Sequence, residues 1–336
     1  MKRKGILGKV KVILIETVVI GITSLLLFEI CFRLYIVDFY QASFKALNKD
    51  FEQKKNHNPV MIVGDSFSVF DGGYVQYLRD SLPYHNVRNF SVPGTSIREQ
   101  YLFGRHHLKR ESPKTLIFQF YVGNDFFGWN HHYNWEDISL PRNCYWWLSE
   151  HFWSLAYINY WAAGLFPEKA KKTASVDSLD TPFSKANYTR WDKQHFLAEP
   201  SLIENVIYLS EGRENDFDSY MNRVRKLFNY APSDCKIYFL IIPHPSQVSI
   251  RYKENSEQLG AKFSPNFIVN NSSYPLYCAI ENYFSSDKRI TILKTEDIFS
   301  NAENNGMRVF FNNDSHLNLN GQLTLGRFLL NNLEVR

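Results

Sequence analysis

The chain has 336 residues, 44% of them hydrophobic and 21% charged, which is apolar content enough for one α/β domain with a sizeable core and extra segments. Its 38 Lys and Arg against 34 Asp and Glu leave a charge of +4 with no basic stripe along the folded part, which argues against nucleic acid as a partner. The four cysteines, Cys31, Cys144, Cys235 and Cys278, have neither CxxC pairing nor ligand-like spacing to histidine, so no metal is expected and at most one disulfide outside the N-terminal segment.

Lys2, Arg3, Lys4, Lys9 and Lys11 precede a mostly apolar stretch from Val12 to about Ile36. A membrane-spanning helix needs roughly 20 such residues. No small-residue cleavage site follows, and Phe28-Glu29-Ile30 ahead of Cys31 is a poor lipoprotein signal. The expectation is a basic cytoplasmic tail over 1–11, a single span over 12–36 and a periplasmic or extracellular bulk, since lysines stay inside. Glu29 and Arg33 fall one turn apart on one face, which reads either as a boundary ion pair or as a docking point for a membrane partner. Polar residues 37–57 predict a stalk, and 58–336 the main domain.

Strand and helix patterns then alternate. Strands are predicted at Val60–Val63, Asn86–Phe90, Thr115–Val122, Lys236–Ile242 and Ile290–Leu293. Helices are predicted at Tyr74–Leu82, Ile97–Lys109, Tyr220–Phe228, Leu276–Phe284 and Leu319–Leu330. The third strand is almost wholly apolar, as expected of a strand covered on both faces. Five such strands imply a parallel, doubly covered sheet, with sites at the carboxyl ends of its strands. Ser66, Gly94, Asn124 and His244 each follow a predicted strand and should share that edge.

An insertion over about 126–217 breaks the rhythm, first aromatic (Phe126-Phe127-Gly128-Trp129, Trp135, Tyr145-Trp146-Trp147, Trp153, Trp161), then polar from Lys169 to about Lys193. Its aromatics suit a glycan-stacking platform, a packed subdomain or a membrane interface. Trp129 and Trp135 are the candidates for substrate contact, together with His244 between two prolines, which reads equally as a structural loop histidine. His106-His107 reads as a solvated helix face, because adjacent helical residues do not face one another. His131-His132 could line the cleft.

Two segments carry the chemistry. Gly64-Asp65-Ser66-Phe67 directly follows the first strand, and Asn313-Asp314-Ser315-His316-Leu317-Asn318 precedes the last helix. A serine hydroxyl becomes a nucleophile when an imidazole takes its proton, and the imidazole works best when a carboxylate fixes its tautomer. Asp65 and Asp125 read as structural, bonding nearby turn N–H groups.

With Ser91-Val92-Pro93-Gly94 and Gly123-Asn124-Asp125 between them, these segments resemble the SGNH superfamily, also called the GDSL hydrolases, over about residues 58–125 and 305–330. The likeness is to membrane-anchored bacterial members and to polysaccharide O-acetyltransferases and esterases. The resemblance implies a flavodoxin-like three-layer sheet, with Ser66 as nucleophile, His316 as base and then acid, and Asp314 as its orienting carboxylate. It also implies an oxyanion hole from the Ser66 and Gly94 N–H groups and the Asn124 amide. Each such donor is typically worth about 3 kcal/mol. Many members place the aspartate three residues before the histidine, where this chain has Asn313. If Asp314 falls short of the ring, a backbone carbonyl would orient His316 in a Ser-His dyad.

The expected activity is that of an anchored serine esterase or O-acyltransferase needing no cofactor. Its expected partner is an O-acetylated envelope glycan or lipid-linked saccharide, with a multi-span O-acyltransferase as a further partner. The alternative is a non-catalytic glycan-binding or scaffold module of the same fold.

Overall fold

A computed structural model describes residues 2–37, 47–48, 59–83, 86–126, 140–157 and 175–334, with 2–10 and 141–143 described in backbone only. The chain divides into two compact units, 1–43 with 139–167, and 44–138 with 168–336. The division runs through the predicted insertion.

The larger unit holds a five-stranded sheet, β1 (Pro59–Val63), β2 (Asn86–Asn89), β3 (Thr115–Tyr121), β4 (Lys236–Ile242) and β5 (Ile290–Lys294). The order is β2-β1-β3-β4-β5 and every pairing is parallel, the doubly wound arrangement of flavodoxin-like sheets. Val60 to Val63 and all of β3 are buried, which is why these strands read as apolar runs, broken within β3 only by Thr115 and Gln119. Helices Tyr74–Ser81, Leu319–Asn332 and Glu296–Asn304 close one face around Tyr74, Leu78, Phe299, Leu325 and Leu329. On another part of the unit, helix Ile97–Glu111 packs against Arg213–Phe228, with the Gly104 position so close that a Cβ there would meet Leu227 Cδ1 at 2.9 Å.

That packing overturns one expectation. His106 and His107 are 0% and 4% exposed, not a solvated face. The Phe90 and His107 rings stack at 4.2 Å, and burial holds the His107 pKa well below the usual value. From Gln100 to Leu108 every position of this helix is buried, so its polar residues there are interior as well. Asn48, from the predicted stalk, exchanges hydrogen bonds with the Asn89 backbone at 2.8 and 2.9 Å on the outer edge of the sheet.

The smaller unit contains the N-terminal helix Lys2–Arg33, whose Lys11–Arg33 stretch has a mean hydropathy of 2.2 and is long and apolar enough to cross a membrane. It also holds helix Leu140–His151. Glu29 pairs with Arg33 at 2.6 Å and accepts the backbone N–H groups of Trp153 and Ser154 at 2.8 and 2.9 Å. Arg33 in turn donates to the His151 carbonyl at 2.6 Å and lies 4.8 Å over the Trp153 ring. The donors that satisfy the Glu29 carboxylate therefore come from the chain itself. All four cysteines are free.

Candidate active site

Because the strands are parallel, their carboxyl ends define one edge, and the turns carrying Ser66, Gly94, Asn124 and His244 leave from it. After β1 the chain makes a single 3-10 turn, Ser66–Ser68, whose cap is Asp65 accepting the Phe67 N–H at 3.0 Å. Gly64 is required for close approach: a Cβ there would lie 2.4 Å from Gln119 Oε1. That oxygen accepts the Asp65 N–H at 2.9 Å and the Ser68 hydroxyl at 3.2 Å. Asn89 donates to the Ser68 carbonyl at 2.6 Å, and Gln322 to the Phe67 carbonyl at 3.0 Å. Polar side chains from β3, β2 and the last helix thus fix the serine turn from three sides.

The histidine arrives from the far end of the chain. An antiparallel bridge between Phe310 and Leu317 pinches the loop, and the Phe311 N–H donates to the His316 carbonyl at 3.0 Å. Asn318 caps the last helix through the Gly321 N–H at 3.1 Å and also ties back to the Arg308 and Phe310 carbonyls. The result places His316 Nε2 at 2.7 Å from Ser66 Oγ, with the imidazole stacked 4.7 Å from the Phe67 ring. Asp314 Oδ1 bonds His316 Nδ1 and also accepts the His316 backbone N–H at 2.7 Å.

Asn313 does something else. It is fully buried, its Oδ1 accepts the Ser184 N–H at 2.8 Å, and its Nδ2 donates to the Thr181 carbonyl at 3.0 Å. Its backbone joins Leu179 and Thr189, at 2.8 and 3.0 Å. The polar part of the predicted insertion is therefore a brace for the histidine loop, built of short helices Val176–Asp180 and Arg190–Ala198.

Charge at the site is dominated by carboxylates. Burial alone would lower the His316 pKa, but the Asp314 charge and hydrogen bond, followed by Asp65 and Asp192, push it up to about 9. Burial likewise opposes ionisation of Asp314, yet His316 and the surrounding donors hold its carboxyl below the usual range. Asp192, which sequence reasoning missed, is buried beside this pair, and burial with the nearby Asp314 charge pushes it up to about 6. Asp65 is raised by burial, and Asp125 well raised by burial and by Asp65, while Asp125 accepts the Tyr121 N–H at 2.8 Å.

Gly94 lies in an exposed turn at φ 68°, with open space where a Cβ would point. That turn is fixed to the serine strand by the Val92 N–H, which donates to the Gly64 carbonyl at 3.1 Å. Asn124 follows β3, half-buried, and its Oδ1 has no hydrogen-bond partner. The expected substrate contact from His244 gives way to a structural duty. Its ring is 2% exposed and accepts the Ser246 N–H at 3.2 Å, capping a helical turn. Burial and the nearby His195 lower its pKa to about 3, so the ring is neutral, and the Ser246 N–H donated to Nδ1 assigns the ring proton to Nε2. Trp129, Trp135, His131 and His132 lie outside the described residues. Among the described residues no group of three or more His, Cys, Asp or Glu could hold a metal ion.

No protein-family model matches the chain, and a search of curated proteins found no match. Solved structures similar to it include the lipase Lip_vut3 from a goat rumen metagenome, at 11% identity and TM-score 0.38, covering 82% of this chain and 96% of that one. A catalytic mutant of Axe2, an acetylxylan esterase from Geobacillus stearothermophilus, aligns at 13% identity and TM-score 0.40 over 84% of this chain and 99% of that one. A second Axe2 mutant, described as an acetyl-xylooligosaccharide esterase, aligns at 13% identity and TM-score 0.39 over 83% and 96%.

Proposed function

We propose that the chain is a membrane-anchored serine enzyme of the SGNH type that acts on acyl esters, O-acetyl groups of an extracytoplasmic envelope glycan or lipid-linked saccharide being the substrate class. The observation that carries this reading is the Ser66 Oγ to His316 Nε2 contact of 2.7 Å, with Asp314 on the other ring nitrogen. In this reading Ser66 is the nucleophile, His316 the base and Asp314 its orienting carboxylate, the arrangement acyl transfer uses.

Ser66 Oγ attacks the ester carbonyl carbon while its proton passes to His316 Nε2. The carbonyl π pair moves onto oxygen, where the Ser66 and Gly94 N–H groups and the Asn124 amide are the donors in this reading. Collapse breaks the bond to the sugar oxygen, which leaves with the proton from His316. Water, or a second sugar hydroxyl, gives its proton to His316 and attacks the acyl-enzyme carbonyl; collapse breaks the bond to Ser66 Oγ, which takes that proton back from His316. Hydrolysis and transfer share every step but the last. An anchor suits a fixed envelope substrate and permits supply of acyl groups by a multi-span O-acyltransferase.

The full chain in detergent should release acetate from an aryl acetate and react with a fluorophosphonate probe, and Ser66→Ala should abolish both. Turnover surviving in that variant would sink the nucleophile assignment. A well-folded chain that neither hydrolyses nor labels would favour the glycan-binding module. With a glycan acceptor present, acetylated glycan formed at the expense of free acetate identifies a transferase.

A further inference from the structure

Helix Leu140–His151 exposes one apolar face that no other described residue covers. Leu140 is 80%, Trp147 63% and Leu148 36% exposed, and Cys144 is exposed with them, whereas Ser149 on the opposite side is buried. Positions 140, 144, 147 and 148 follow the i, i+4, i+7, i+8 spacing of one helical stripe. A stripe of this kind on a water-facing helix is an unmet burial demand.

The N-terminal helix says what meets it. Lys11–Arg33 spans 23 residues, about 34 Å at roughly 1.5 Å per residue, against a hydrocarbon core of about 30 Å. Arg33 then stands where acyl chains give way to headgroups. The exposed helix ends at that same depth, because its last carbonyl, on His151, accepts from Arg33 at 2.6 Å. The next N–H groups, of Trp153 and Ser154, close on the Glu29 carboxylate, and the Phe32 and Tyr157 rings meet at 4.7 Å. Tryptophan and tyrosine are enriched at this level of a bilayer, where one end of the ring is apolar and the other wet.

We propose that helix Leu140–His151 is an interfacial membrane helix. Its Leu140–Cys144–Trp147–Leu148 face lies in the headgroup region of the leaflet where the N-terminal span ends, and the Glu29–Arg33 pair clamps it there. The inference rests on the membrane-anchored part of the proposed function and is independent of the serine chemistry. An amphipathic helix so placed binds by burying its apolar face at the headgroup–acyl boundary.

The test uses the full chain in phosphatidylcholine–phosphatidylglycerol vesicles, with Cys31, Cys144 and Cys278 changed to Ser and the buried Cys235 retained. A nitrobenzoxadiazole fluorophore is placed at Leu148→Cys, and in a separate sample at Ile22→Cys. The probe at 148 should lose most of its emission to nitroxides near the headgroup and be shielded from aqueous iodide. The probe at 22 should be quenched by mid-chain nitroxides. A 148 probe as open to iodide as the free dye, with 22 deep in lipid, overturns the interfacial helix alone. Shielding at 148 from both quenchers means a protein surface covers the face, which also overturns it. Loss of deep quenching at 22 removes the span and the inference with it. Glu29→Gln in the 148-labelled chain should raise iodide access, and unchanged quenching there would overturn the clamp.

Discussion

Asp314→Asn separates the charge of the carboxylate from its role as a hydrogen-bond acceptor. Asp314 Oδ1 serves both the His316 ring and the His316 backbone N–H, and an asparagine oxygen can occupy the same place. What disappears is the negative charge. At about 4 Å a carboxylate and an imidazolium interact by about 4 kcal/mol at an effective dielectric of 20, and by about 1 kcal/mol in water. The His316 side chain is 39% exposed, so screening places the loss between these limits, at about 2 kcal/mol. At 1.36 kcal/mol per pKa unit this lowers the ring by roughly 1.5 units.

The sign follows from the chemistry: the base acts when neutral, so kcat/KM rises with pH through the His316 pKa, which stands at about 9. In Asp314→Asn the midpoint should move down by about 1.5 units. The limiting rate should fall at least ~30-fold, because the imidazolium of the transition state loses the same ~2 kcal/mol. The fall approaches ~10⁴-fold if the amide turns and the wrong tautomer is held. The assay is aryl acetate hydrolysis across the pH range with the spontaneous rate subtracted. An unchanged midpoint with a rate within about threefold of the parent would refute a charged Asp314–His316 pair.

Three further outcomes follow from neighbouring side chains. The exchange Asn313→Asp with Asp314→Asn gives the spacing commoner among SGNH hydrolases, yet it should leave activity as low as Asp314→Asn alone. Asn313 points at Ser184 and Thr181, and the change puts an acceptor where Nδ2 donates, so denaturant unfolding should show a loss of about 3 kcal/mol; recovered activity would contradict the placement of Asn313. Asp192→Asn should lower the His316 midpoint by less than Asp314→Asn does, because its charge ranks behind those of Asp314 and Asp65 in raising His316; an equal or larger shift in the same pH profile would assign Asp192 the orienting role. Glu296 is fully buried and burial pushes its pKa up to about 8, above the ordinary 4.5, so it destabilises the fold progressively as pH rises from 4.5 to 8. Glu296→Gln should therefore stabilise the chain by on the order of 2 kcal/mol at pH 8 and not at pH 4, as read from melting curves at the two pH values.

The central strands β1, β3 and β4 were legible because a strand covered on both faces leaves a nearly apolar run with no competing helical period. The helices that sequence reading passed over, such as Ile250–Leu259 and Glu296–Asn304, are short and mostly polar, so their few inward residues make no run. Ser66, Asp314 and His316 stand out because each sits in a distinctive string beside a strand or helix boundary. Their supports do not: Asn89, Gln119 and Gln322 are lone amides inside ordinary-looking strands and a helix, and only the fold reveals that all three converge on one turn. His106 and His107 were misread for a related reason. Helical periodicity assigns one face to solvent, whereas this helix is enclosed by β1 and Arg213–Phe228 on its different sides.

The placement of Asn313 changes what the insertion between β3 and β4 is for. The histidine loop is tied at its start by its own bridge, the Asn318 cap, and Tyr252 and Arg251, which bond Phe310 and Asn312. The segment from Leu179 to Asp192 ties the next residues: it takes up the Asn313 backbone on both sides, satisfies its amide, and brings Thr189 to the Asp314 carboxylate. The segment thus supports the loop whose His316 makes the 2.7 Å contact at Ser66, although no residue between 179 and 192 hydrogen-bonds the serine hydroxyl. The polar span thus reads like a linker in sequence because its buried contacts are made by backbone and short side chains, which leave no apolar pattern.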